Sequence, residues 1–307
     1  MDRININGVM AINKPSGMTS FDVVSRVRKI LKIKKIGHCG TLDPLATGVL
    51  PLLFGKATKA LPFILEDQKD YIASFKLGII SDTQDITGKI TKIKTGLFAK
   101  KKSLEKNIVK NALKNFLGNS KQIPPMYSAL KKNGKRLYSL ARRGKEIERE
   151  PRKIFIKKIF LVDFDEKNLE GQFFISCSKG TYVRTICHDL GKKIRCGAVM
   201  TALHRTFSSG FCIEDSISLK NLEKQTKNNT NILRKIDTMF FSIEKITVTA
   251  AQALRFKNGG SLFLERLTFM YSIEDGKIIR VYDQNKSFLG LGKVSIKKGE
   301  MLVLKNF

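Results

Sequence analysis

Asp43 lies in the run Gly37-His38-Cys39-Gly40-Thr41-Leu42-Asp43-Pro44-Leu45-Ala46-Thr47-Gly48, the densest cluster of chemically loaded side chains in the chain. Its glycines permit close approach of a ligand and unusual backbone angles, and Pro44 fixes the exit of the turn that carries the carboxylate. An Asp on such a rigid loop between apolar blocks is a candidate nucleophile or general base. Taken alone, the same run reads first as an ordinary turn. A second candidate, Cys187 beside His188, suggests a thiol nucleophile with its base, but neighbours on a helix do not face each other. Between Lys121 and Arg152, seven basic residues from Lys131 to Lys145 crowd around Tyr127 and Tyr138. Basic residues interleaved with aromatics suit backbone phosphates and unstacked bases, while the bland reading is a solvated surface loop.

The elements that must carry these residues follow from pattern. Gly8 to Ile12 predicts a strand, and Pro15-Ser16-Gly17 a turn. Thr19 and Asp22 then suit the start of a helix, with Phe21, Val24, Val27, Ile30 and Leu31 on its buried face. Strands are predicted at Tyr71–Gly78, from Ile154 and at Gly171–Ser176, mixed with helices rather than in strict alternation, which points to a mixed sheet. Lys220–Arg234, with the polar run Lys224–Thr230 at its centre, reads as a linker or exposed connection. From Ile246 to Phe307, short β-type runs separated by glycine turns predict a small β-barrel.

Length and charge bound the function. A chain of 307 residues predicts two domains and can hold a core without disulfides or metal. Its 57 Lys and Arg against 27 Asp and Glu leave a net charge of +30, so a polyanion is the partner to expect. Apolar stretches are too short to span a membrane, and the first residues lack the apolar region of an export signal. The five cysteines form no C-x-x-C pair and read as reduced cytoplasmic thiols; the scattered His38, His188 and His204 predict no metal site.

The loop as a whole resembles the active-site word of the bacterial tRNA pseudouridine-55 synthases, G-H-x-G-x-L-D-P-x-A-x-G. Four further stretches recur in that family's order: Asn13–Ser20, Lys69–Tyr71, Gln122–Ala129 and Lys179–Thr185. The resemblance implies an α+β pseudouridine-synthase fold with a mainly antiparallel mixed sheet flanked by helices and loops. It implies a catalytic domain over 1–240 with a basic RNA-binding insertion at 121–152, and a PUA-like barrel at 245–307. It also implies isomerisation of uridine 55 in the T arm of tRNA, without cofactor or metal, by a cytoplasmic monomer whose C-terminal domain grips the acceptor stem. Mapped residue by residue, Asp43 starts the chemistry, Arg184 pairs with it, and Tyr71 stacks on the base and handles the C5 proton. His38 enters the space left by the flipped base, Tyr182 and Leu203 line the uracil pocket, and Lys14 supports the loop near the substrate. Two rival readings are a guide-RNA-dependent synthase of the same superfamily and a tRNA-folding chaperone without essential turnover.

Overall fold

In the computed structural model, which describes residues 7–64, 68–93, 104–132, 134–227 and 232–307, two β-sheets organise the chain. The elements of the first part are β1 (Gly8–Lys14), α1 (Ser20–Leu31), β2 (Ile36–His38), β3 (Thr47–Phe54), β4 (Lys69–Leu77), β5 (Ile79–Ser81), β6 (Ile90–Lys92), α2 (Lys106–Lys114), β7 (Gly118–Gln122), β8 (Lys131–Lys132), β9 (Lys135–Arg136), α3 (Leu137–Ala141), β10 (Arg152–Asp165), β11 (Glu170–Cys177), α4 (Val183–Lys193), β12 (Ala198–Ser208), β13 (Phe211–Cys212), β14 (Ser216–Ser218) and α5 (Leu219–Lys227). The second part holds β15 (Lys245–Thr247), α6 (Ala250–Lys257), β16 (Leu262–Phe263), β17 (Ile278–Tyr282), β18 (Phe288–Ser295) and β19 (Glu300–Asn306).

The large sheet has ten strands in the order β14-β1-β3-β12-β4-β11-β10-β7, with β2 beside β3 and β13 beside β12. It is mixed, as the pattern predicts, and mainly antiparallel, as the resemblance implies: only β1 with β14 and β3 with β12 run parallel. In β4 the alternation is regular, so Tyr71, Ala73, Phe75 and Leu77 point into a core shared with α2 and α4. The strands β1 and β3 are nearly all buried because helices α1 and α5 and the C-terminal segment cover their two faces.

Thr19 and Asp22 form a reciprocal capping box: the Thr19 hydroxyl accepts from the Asp22 amide at 3.1 Å, and the Asp22 carboxylate accepts from the Thr19 amide at 2.8 Å. The buried face of α1 is Val23, Val24 and Val27, whereas Phe21 is 64% exposed, contrary to the apolar stripe read from the sequence. Phe21 is in the first turn, at the rim of a wide cleft rather than over the sheet. The polar run from Lys220 also departs from expectation: α5 begins there, with Ser218 accepting from the Asn221 amide at 3.2 Å and Leu222 fully buried against α1 and β1. One buried Leu stabilises such a short helix by about 1.5–3 kcal/mol, enough to override its low apolar content. The rest of that run, 228–231, lies outside the described residues.

The second sheet, in the order β15-β17-β18-β19-β16, curls into half a barrel around Ile246, Phe256, Ile279, Val281, Leu289 and Met301. Its edge strands are only three and two residues long, too short to close the barrel, and Ala253 and Phe256 of α6 pack into the open side. Phe240, Phe288 and Phe307 join this sheet to the first part, with ring centroids 5.6 to 6.1 Å apart.

Gly48 opens β3 where the loop carrying Asp43 rejoins the sheet. Its φ is +98°, and a Cβ there would stand 2.2 Å from the Arg205 carbonyl oxygen. Gly48→Ala is therefore expected to destabilise the protein by more than about 2 kcal/mol, through positive φ and a clash with fixed backbone. Urea unfolding measures this, and an unchanged midpoint would contradict the account.

Candidate active site

The loop between β2 and β3 is held from beneath by the segment that ends β1 and begins α1. The Lys14 ammonium donates to the carbonyls of Pro15 (2.9 Å), Pro44 (3.2 Å) and Ala46 (2.6 Å). The Gly17 amide donates to Pro44 O at 2.9 Å, and the Ser20 hydroxyl accepts from the Leu42 amide at 2.9 Å. Burial lowers the Lys14 pKa to about 8, and the Asp43 charge opposes that fall. Lys14 is fully buried and committed to loop carbonyls, so it shapes the loop and does not line either cavity.

Asp43 projects from this scaffold toward the start of α4. Arg184 Nη2 lies 3.2 Å from Asp43 Oδ2 and donates to the Tyr127 carbonyl at 2.7 Å, while Arg184 Nη1 lies 3.5 Å from Asp85 Oδ2. The side chains of Arg184 and Asp85 are each 6% exposed and that of Asp43 is 35%. Asp85 is the functional residue that the sequence reading missed. Its Oδ1 accepts from the Thr83 hydroxyl (2.8 Å) and the Thr87 amide (2.9 Å), which leaves Oδ2 for the guanidinium. The only signal in the sequence is the polar turn Ser81-Asp82-Thr83-Gln84-Asp85, which does not announce a partner 99 residues away in Arg184.

Two cavities meet at Asp43 and Arg184. The smaller, about 400 Å³, is lined by Tyr71, Tyr182 and Leu203 together with Lys69, Ser178 and Thr181. The larger, about 1070 Å³, is lined by Phe21, His38, Asp85, Tyr138, Arg136 and Arg142. The structure thus gathers six of the seven residues singled out in the sequence around one junction, with Lys14 behind the loop. Burial pushes the Tyr71 and Tyr182 phenols up, and it lowers His38, which is therefore neutral at pH 7. Gln122 holds Tyr182 in place, donating to its carbonyl at 3.1 Å and accepting from its amide at 2.8 Å. In the basic insertion, Arg136 and Arg142 flank the Tyr138 ring at 5.9 and 5.6 Å. Cys187 is fully buried with its thiol pushed up by desolvation, so it offers no nucleophile.

Chemically, the site presents a carboxylate aimed by a guanidinium into a cavity of nucleoside size with aromatic and aliphatic walls. A wider cationic cleft leads up to it. Such a pair can form or break bonds at an electrophilic carbon, and the cleft suits a polyanionic chain.

Residues 28–183 match the model of the TruB family pseudouridylate synthase N-terminal domain, and 184–246 that of the tRNA pseudouridylate synthase B C-terminal domain. The tRNA pseudouridine synthase B of Clostridium perfringens is 44% identical over 290 residues, covering 94% of this chain and 95% of the relative. That of Clostridium acetobutylicum is 46% identical over 290 residues, covering 94% and 96%. Among solved structures, one titled as an H/ACA RNP bound to a substrate RNA containing 2'-deoxyuridine holds a chain similar in fold. Its TM-score is 0.74 at 21% identity, over 98% of this chain and 84% of that one.

Desolvation pushes the Asp43 carboxyl above its ordinary range; Arg184 opposes this and the Asp85 charge reinforces it. The ionised form must therefore be recovered at a higher pH than for a free carboxylate. Asp85→Asn removes a like charge and is expected to move the Asp43 titration down, and Arg184→Gln to move it up. Carbon NMR of 13C-labelled aspartate, with Asp43→Asn to assign the signal, measures both, and shifts of the same sign would contradict the scheme.

Proposed function

The chain belongs to the TruB family of pseudouridylate synthases, which isomerise uridine to pseudouridine in tRNA, and from that premise we propose that its target is uridine 55 of the T arm. The reaction breaks the N1–C1′ bond, turns the uracil within its pocket and rejoins it through C5, losing the C5 proton to solvent and gaining one at N1; it needs no net oxidation or reduction. Asp43 initiates this at the sugar or the base. The observation that carries the reading is the Asp43–Arg184 pair at the mouth of the small cavity. A carboxylate so desolvated stays ionised and aimed only with a cation beside it.

A uridine in a folded arm cannot reach Asp43 while stacked, so it is flipped into the small cavity between Tyr71, Tyr182 and Leu203. His38, neutral and on the adjoining wall, occupies the space the base leaves. The insertion at 121–152, with Tyr138 between Arg136 and Arg142, holds the arm from the far side of the cleft. The half-barrel from Lys245 forms a separate RNA-holding domain for the acceptor stem; the Phe263 ring, flanked by Arg255 at 6.0 Å and Arg266 at 5.4 Å, suits that contact. Among the described residues no helix is long and apolar enough to cross a membrane, and the reading includes a cytoplasmic monomer.

Tritium release from a tRNA transcript labelled at C5 of uridine tests the proposal. Release by the wild type is expected to vanish in Asp43→Asn and on a transcript with cytidine at position 55. Binding without release would favour a chaperone, and release without uridine 55 would move the target. With a net charge of +30, affinity for the transcript is expected to fall steeply with salt, so each comparison is made at one ionic strength.

A further inference from the structure

Arg205 is the largest fully buried side chain among the described residues, and its cation is not neutralised by any of their carboxylates. A guanidinium left unpaired in a protein interior is costly, so its retention calls for a reason. Two of its nitrogens have one: Nε donates to the Val49 carbonyl at 2.7 Å and Nη2 to the Gly40 carbonyl at 3.1 Å, so the two ends of the Asp43 loop hang on one side chain. The third, Nη1, is buried and makes no hydrogen bond.

The Arg205 guanidinium lies within hydrogen-bonding reach of the Tyr71 phenol. Arg205 on β12 and Tyr71 on β4 are direct cross-strand partners, a placement that brings their Cβ atoms to about 5 Å on one face of the sheet. Gly40, whose φ is +82°, passes close by: a Cβ there would stand in ordinary contact with Nη1, at 3.5 Å. The other buried cations of the site are committed: Lys14 to three carbonyls, and the terminal nitrogens of Arg184 to Asp43, Asp85 and Tyr127. The groups that face Tyr71 are Arg205 from β12, Cys177 from β11 and Asp43 from the loop, with Lys69 of its own strand lining the same cavity. Burial disfavours the Tyr71 phenolate, Cys177 is a neutral thiol raised to about 12, and the Asp43 charge adds to the penalty; Arg205 opposes them.

We propose that Arg205 is a positioning residue that ties the Asp43 loop to the base of the reaction, its free Nη1 stabilising the phenolate of Tyr71 as that residue takes the C5 proton. The inference rests on the role given to Tyr71 above. The Tyr71 phenol first gives its proton to water, and its phenolate oxygen then bonds to the C5 proton while the C5–H bond breaks. The electron pair of that bond closes the C5–C6 double bond of pseudouridine, the C6–N1 π pair moves onto N1, and N1 takes a proton from water, leaving Tyr71 again a phenol. A donor unpaired in the resting site and satisfied when the phenolate forms raises the share of Tyr71 that is ready to take the proton.

The test uses the full chain and three tRNA transcripts carrying uridine, C5-deuterated uridine or 5-fluorouridine at the target. The last has no C5 proton to lose. For Arg205→Gln, kcat on uridine is expected to fall about 10²-fold, as for loss of one preorganised donor. KM should change little, a primary deuterium isotope effect larger than in the wild type should emerge, and rearrangement of 5-fluorouridine should fall much less than turnover of uridine. Arg205→Lys, which keeps a cation but not the three-pronged geometry, should recover part of kcat and reduce the isotope effect. Equal losses on uridine and 5-fluorouridine with no isotope effect would make Arg205 a loop scaffold only and overturn the proposal. If Arg205→Gln fails to fold by circular dichroism, Arg205→Lys decides. A slowed, isotope-sensitive reaction that spares 5-fluorouridine supports the proposal, and wild-type kcat or an isotope-insensitive loss overturns it. Failure of the underlying reading shows separately, as C5 proton release by Tyr71→Phe at the wild-type rate.

Discussion

A single guanidinium holds the site together. Arg184, 6% exposed at the start of α4, reaches Asp43 on the β2–β3 loop, Asp85 on the turn after β5 and the Tyr127 carbonyl at the edge of the basic insertion. Each contact belongs to a different stretch of chain, so loop, turn and insertion are in register only while the cation is in place. The arrangement also sets charge. With Lys14 and Arg205 buried behind the loop, three cations stand near two carboxylates, and the pair of carboxylates on Arg184 keeps its guanidinium committed to them when a phosphate backbone fills the cleft.

The short motifs acquire separate physical jobs once placed. Asn13–Ser20 is the cradle beneath the loop, through Lys14, Gly17 and Ser20; Gln122–Ala129 steadies Tyr182 and Arg184 through the Gln122 amide and the Tyr127 carbonyl. Neither stretch brings a nucleophile. They provide the rigidity that lets Asp43 meet a substrate without reorganising, and that rigidity is what preorganised electrostatics requires. The loop has few contacts of its own, so its order is borrowed from its neighbours.

Local signals in the chain were strong enough to reveal the strands around Tyr71 and Phe173, the capping box at Thr19 and Asp22, and the mixed character of the sheet. The Asp43 loop, Tyr71 and Arg184 were legible because their motifs are long and ordered. Asp85 and Arg205 were not, for a shared reason. Each matters through a partner distant in sequence, and no periodicity or turn rule encodes that a polar residue will meet a cation or a loop end across the sheet. Phe21 and α5 were misread for the converse reason: apolar pattern reports what a helix buries on average, whereas the cleft exposes the first and one well-seated Leu222 rescues the second.

Position relative to the two cavities constrains the path of the substrate. Asp43 stands where they join, so under the proposed function a nucleotide that engages it has its base in the small cavity and its backbone in the large one. On that reading a stacked base cannot satisfy both at once, because the stack and the small cavity lie in different places. The same proposal has the cost of unstacking met on the other side of the junction, where Phe21, Tyr138 and the flanking arginines offer aromatic faces and charge. Recognition and chemistry are linked through geometry in this proposal: the cleft that would hold the RNA is the one that aims the carboxylate. An RNA whose shape cannot place its backbone there gains nothing from the positive surface beyond nonspecific attraction.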